Sequence, residues 1–256
     1  MRKTVLLTLL LVLVAGTGWA GLVRRGPIVI TSDLDFTPEN GVVSGWGILG
    51  DPYVISGFQI DAEGEDYGIL ISGTVRPVVI RDVEVLGART AGIKVQSAKS
   101  VLIENAWVRG CATGISVFLG TAVSVLGSRV EECHDGVKVT FSSQVQLSGL
   151  LVVRCWTGVW FAGTTDSLLV ESVVDQCDAG ILVELHCDGI VVARNAILGC
   201  RIPAQSEGGA AWDDGARGNH WQGYVALDED GDEILDVPYP IGGEEDRFPL
   251  ASPPER

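Results

Sequence analysis

The stretch Cys111-Ala-Thr-Gly114-Ile115-Ser-Val117-Phe118 returns as Cys133-His-Asp-Gly136-Val137-Lys-Val139-Thr140, and again as Cys155-Trp-Thr-Gly158-Val159-Trp-Phe161-Ala162. Working outward, the Gly-aliphatic pair also stands at Gly68, Gly92 and Gly180, with one spacing of 24 and the rest of 22. The cysteine three residues before the glycine continues at Cys177 and reappears at Cys200, while Ala88 takes its place one unit earlier. A third row is aliphatic: Ile80, Ile103, Val125, Leu147, Val170 and Val192. Three rows sharing one register mark a repeat array, in which each unit buries its apolar face only against its neighbours.

Within a unit the local period is two. Gly92-Ile-Lys-Val-Gln and Gly136-Val-Lys-Val-Thr alternate apolar with other residues, as short half-buried strands do. The apolar residues are mixed Ile, Val and Leu, which argues against a leucine-rich repeat. A 22-residue unit is not a multiple of six, so a hexapeptide coil does not fit. The reading is an all-β, right-handed parallel β-helix with 22-residue coils. Successive coils sit about 4.8 Å apart. Residues 21–66 form the N-terminal cap and first coil, 67–202 the coils, and 203–256 the C-terminal cap. The recurrent glycine marks a tight corner, where a Cβ would clash or φ is positive.

Residues Met1–Ala20 carry a basic start (Arg2, Lys3), an apolar run (Val5–Ala15) and small residues at Gly18 and Ala20. This is the pattern of a secretory signal peptide. The run is shorter than the ~20 residues a membrane span needs. No other segment is apolar enough to span, so the expected location is outside the cell or in the periplasm and envelope. Removing the leader leaves 16 Lys and Arg against 33 Asp and Glu, a formal charge of −17. Nucleic acid is excluded as a partner, because phosphate contacts need clustered cations.

The ends carry a resemblance. Gly45-Trp-Gly-Ile-Leu-Gly-Asp51-Pro52-Tyr53-Val54-Ile55, with Gly57-Phe-Gln-Ile60-Asp61, is similar to the opening of exported NosD-like proteins of the carbohydrate-binding and sugar-hydrolase (CASH) β-helix group. Gly218-Asn219-His220-Trp221, Val237-Pro238-Tyr239-Pro240 and Asp246-Arg247-Phe248-Pro249 resemble the tail of that family. The resemblance implies a β-helix and admits a periplasmic role in copper-site assembly. Copper is not expected here: the mature chain has no Met, only three His (His134, His186, His220), and a cysteine row that reads as an inward ladder of small hydrophobes. His186-Cys187-Asp188 is a lone fragment that reads as a turn.

Asp228-Glu-Asp230-Gly-Asp232-Glu-Ile-Leu-Asp236 spaces carboxylates as a Ca²⁺ cage does, so Asp228, Asp230, Asp232 and Asp236 are the metal candidates. An early Gly and the lack of a twelfth-position Glu separate it from an EF-hand, and the alternative is a solvated acidic turn. Such a Ca²⁺ would be structural. For the ligand, Lys94, Phe118, Lys138 and Trp160 fall on one outward strand face. The rings suit sugar stacking and the lysines suit uronate or sulfate groups; the alternative is ordinary surface. No carboxylate pair of the kind glycoside hydrolysis needs appears on that face, and no catalytic residue is assigned. The expected role is a scaffold that binds a glycan. The alternatives are a polysaccharide lyase or glycoside hydrolase, and the copper-site accessory role. Leu151, Val153 and Leu169 read as outward apolar residues suited to a protein partner or self-association.

Overall fold

The computed structural model describes residues 21–254. It is a parallel β-solenoid of about eight turns, with one short 3-10 turn at Asp33–Asp35. Each coil has three faces. The first is an eight-stranded parallel sheet that includes Tyr67–Ser72, Ala91–Gln96, Thr113–Phe118, Asp135–Thr140 and Thr157–Ala162. Val78–Leu86 and Lys99–Arg109 are long strands that bend around the next corner and so join the second and third faces into one sheet. Later coils divide that path: Thr121–Leu126 lies on the second face and Arg129–Glu131 on the third.

Inward side chains stack on their equivalents. Ile69, Ile93, Ile115, Val137, Val159 and Ile181 form one column, and Ile71, Val95, Val117, Val139, Phe161 and Val183 the next; all are fully buried. β-Branched residues suit this packing, because their restricted χ1 repeats from strand to strand.

Each inner corner has its own column. The first-face entrance carries Ala88, Cys111, Cys133, Cys155, Cys177 and Cys200, buried except for the half-buried Cys200, and none forms a disulfide. The second corner column holds Gly120, Ser142 and Thr164; Ser142 Oγ accepts the Gly120 N–H at 3.0 Å. Cys187 takes the next place in that column, so it is a buried rung and not an exposed metal fragment. The third column runs Ala106, Ser128, Leu150, Ser172, Asn195 and Asn219. There each polar side chain caps a backbone N–H of the coil before it, as Ser172 Oγ does for Leu150. These bonds satisfy buried backbone groups where the chain turns and the sheet ladder is interrupted.

The recurrent glycines do not sit at positive φ. They lie inside the first-face strands, where a Cβ on Gly114 would fall 2.6 Å from the Gly136 carbonyl oxygen and overlap Val130. Close approach, not turning, requires glycine there. The left-handed positions lie at the corners instead, in columns such as Asp82, Asn105, Gly127, Gly149, Glu171 and Arg194.

The aliphatic row needs one correction: Leu169, not Val170, pairs with Leu147 and Val192. Leu169 is fully buried and Val153 nearly so, so only Leu151 of the three expected outward apolar residues is partly exposed. The 23-residue step falls between Leu169 and Val192 and not before Leu169, and a one-residue change of parity moves a side chain to the opposite face. Val153 lies between Glu131 and Asp175 in a row where Glu131 is itself buried beneath Arg129 and Arg154. The exposed large apolar residues are elsewhere, at Leu119, Phe141, Trp156 and Leu185 on the corners and at Trp46, Ile48 and Leu49 in the N-terminal cap.

Both open ends are covered, as a solenoid's unpaired edges must be. Val23–Arg25 and Ile28–Ile30 continue the parallel ladders at one end. At the other, Trp212, Trp221, Tyr239 and Tyr224 pack ring against ring over the last coil, with Trp221 and Tyr239 stacked at 4.4 Å.

Candidate functional site

The register places Lys94, Lys138 and Trp160 in a single outward row of the first face, with Leu70, Ser116 and Leu182. Phe118 belongs to the parallel row beside it, with Gln96 and Thr140. All four expected ligand-binding side chains therefore share one surface. Lys94 Nζ lies 5.5 Å from the Tyr67 ring centroid and 5.9 Å from that of Phe118. Lys138 Nζ lies 3.3 Å from the centroid of Trp160. An ammonium over an aromatic face is held by the ring quadrupole. Among the described residues, Lys94 has no carboxylate within ion-pair distance.

The structure adds residues that sequence reasoning missed. Asp135 is 7% exposed and stands between His134 Nδ1 at 3.1 Å and Lys138 Nζ at 3.3 Å. His134 stacks on Trp156 with centroids 6.2 Å apart, and Trp156 is 60% exposed. On the opposite corner Phe141, equally exposed, meets Phe118 edge-on at 6.0 Å. The indole N–H of Trp160 is enclosed without a hydrogen-bond partner. A signal for these was present: His134 and Trp156 directly follow ladder cysteines, at the point where the chain enters the first face. The face thus offers two cations, the Asp135 carboxylate, Glu184 and Glu207 beside Phe141, and rings on both borders. Such a surface can stack sugar rings, pair carboxylates and exchange hydroxyl hydrogen bonds.

The third face carries a second polar cluster. Glu131 accepts from Trp107 Nε1 at 2.5 Å, Arg129 at 2.8 Å and Arg154 at 2.7 Å. Burial works against its charge, yet the hydrogen bonds from Arg129 and Trp107 and the nearby Arg154 hold it below the ordinary carboxylate range. Glu84 is bound in the same way by Gln59 and Arg109. Each carboxylate is filled by donors of its own fold, so this cluster clamps adjacent coils together.

In the C-terminal cap, ligand oxygens of Asp228, Asp230 and Asp232 lie within 4.8 Å of one another. Asp228 also accepts the N–H groups of Gly231 and Glu233, which holds the loop in a closed turn. Asp236 stands outside that trio and accepts the Glu229 N–H at 2.8 Å. Three converging carboxylates fit a hard cation such as Ca²⁺. The five-thiol ladder faces inward. Contact with Cys177 and burial push the Cys200 thiol up, and burial does the same for Cys187, while hydrogen bonds from Cys133 hold the Cys111 and Cys155 thiols below their ordinary value.

Stacked columns, three faces and capped ends define a parallel β-solenoid, with its candidate ligand surface on one outer sheet. Residues 67–222 match the family described as the right handed beta helix region, and the chain belongs to that family. No curated protein matches the sequence. Among solved structures, an alginate lyase from Paenibacillus sp. str. FPU-7 is similar, with TM-score 0.54, 13% identity and 76% of each chain covered. The complex of XylC with xylose is similar at TM-score 0.50 and 12% identity, over 59% of this chain and 31% of that one. This chain thus spans about a third of the XylC chain. At these identities the likeness is one of fold. No helix among the described residues is long and apolar enough to cross a membrane.

Proposed function

We propose that the protein is an exported β-helical scaffold that binds an acidic polysaccharide lengthwise along its first face. One observation carries the reading: Lys94 and Lys138 occupy the same outward row two coils apart, each against an aromatic ring. Two coils span about 10 Å, comparable with a disaccharide. An extended 1,4-linked chain with twofold alternation turns the same side outward at every second sugar. Its carboxylates on that side would meet the two lysines while Phe118, Trp160, Phe141 and Trp156 stack on ring faces. The basic and apolar leader of residues 1–20 supports export. The alginate lyase and the xylose complex lend support by analogy of fold only.

Titration calorimetry with oligomers of mannuronate and galacturonate, against neutral xylo-oligomers, tests this. Acidic oligomers are expected to bind more tightly, and W160A and the pair K94Q/K138Q to weaken them about tenfold or more. Absence of saturable binding to every oligomer would overturn the reading. A second reading, a polysaccharide lyase, draws on His134, Asp135 and Lys138 converging beside Trp160. Appearance of unsaturated uronate ends during the titration would select it.

A further inference from the structure

We infer that a cleft at the corner between the second and third faces binds a small sugar acid, independently of the first face. The outer corner column begins with Asp82 and Asn105, joined by a 2.6 Å hydrogen bond. Gly127 and Gly149 follow and leave the corner bare, with nothing within 4 Å of a Cβ built on Gly127. Glu171 and Arg194 come next. There the tail Leu250–Pro254 crosses, and Arg217 and Glu233 reach in from the cap. From Gly149 onward these groups line a cleft of about 750 Å³. That is within the range of small-molecule sites.

Its two arginines differ. Arg194 is taken, bridging Asp214 and Glu171, with its Nε 3.6 Å from Glu171 Oε1. The Arg217 backbone N–H is held by Asp214 Oδ1 at 2.8 Å, which positions the residue. Its guanidinium has no carboxylate within ion-pair distance among the described residues. The Arg217 fork suits a planar carboxylate. Glu171 and Glu233, acceptors only when ionised, suit hydroxyl groups. A simple anion would leave the two carboxylates without hydroxyl partners, and a neutral sugar would leave Arg217 unpaired. A ligand with one carboxylate and several hydroxyls satisfies both sets, and a uronic acid is the smallest common example.

Calorimetry on the full chain with monomeric glucuronate and galacturonate, using glucose and sulfate as comparators, tests the assignment. Arg217 and Glu171 are exposed, so R217Q and E171Q are expected to fold normally. Either uronate is expected to bind, with R217Q weakening it about tenfold or more and W160A leaving it unchanged. Equal binding of glucose or sulfate, no effect of R217Q, or loss with W160A would each overturn the site. Because W160A reports on the first face, failure of the polysaccharide reading and failure of this one give different patterns.

Discussion

The Trp221 indole Nε1–H donates to Asp246 Oδ2 at 2.8 Å, at the buried end of the Ser172–Asn195–Asn219 column. The same carboxylate receives the N–H groups of Asn219 and Phe248, so its two oxygens terminate the polar column beneath the aromatic cap.

This arrangement sets a pH dependence. Burial raises Asp246 from 3.8 to about 6, against the pull of its hydrogen bonds. Below about pH 4 both folded and unfolded states are protonated, and the group's full contribution is present. As pH rises to about 6 the unfolded chain ionises first, and that contribution is lost. The loss is on the order of 3 kcal/mol. Carboxylates held low act in the opposite sense: despite burial, Arg247 keeps Asp213 below its usual value. Urea denaturation of wild type and D246N at pH 4 to 7 isolates the Asp246 part. D246N is expected to be less stable at pH 4, since its amide sets a donor against Trp221 and Asn219. The gap should narrow by about 3 kcal/mol toward pH 7. A constant gap would remove the assignment.

Glycines of two kinds should respond differently to alanine. In G114A the new methyl meets the Gly136 carbonyl oxygen and Val130 inside a packed strand. A loss of about 3 kcal/mol is expected, as for other overpacked cores. G127A places its methyl in open space at a φ of +53°. Only the left-handed backbone strain of about 1 kcal/mol should appear. Chemical denaturation of both variants checks the ranking, and equal losses would contradict it.

If Asp228, Asp230 and Asp232 hold Ca²⁺, the cap is stabilised by mass action, by about 2.7 kcal/mol when the ion is at a hundred times its dissociation constant. Thermal melting with Ca²⁺, with Mg²⁺ and with a chelator measures this. Ca²⁺ should raise the midpoint, a chelator should reverse it, and D230N should abolish it. A midpoint indifferent to millimolar Ca²⁺ would show the loop to be only a closed acidic turn.

The columns were legible from sequence because a repeat of constant length forces equivalent residues into register. The Cys133–Cys155–Cys177 ladder and the Lys94–Lys138–Trp160 row both follow from counting. Leu169 and Val170 are adjacent aliphatics, and nothing in their identity says which turns inward. The position of the one-residue insertion decides it: Leu169 follows Leu147 by 22 residues, and the step of 23 falls between Leu169 and Val192. His134, Asp135 and Trp156 went unrecognised for a related reason: they sit where a corner becomes a strand, and period two does not reach them.

The sequence by itself determined the coil length and the stacking of Gly114 on Gly136, because both depend on spacing along one chain. Tertiary structure alone decided that Glu131 would be buried among arginines, and that Arg194 and Arg217 would face one cleft. Apart from Arg129 on Glu131, those contacts join side chains 20 or more positions apart, and their geometry depends on left-handed turns that the order of residues only weakly encodes.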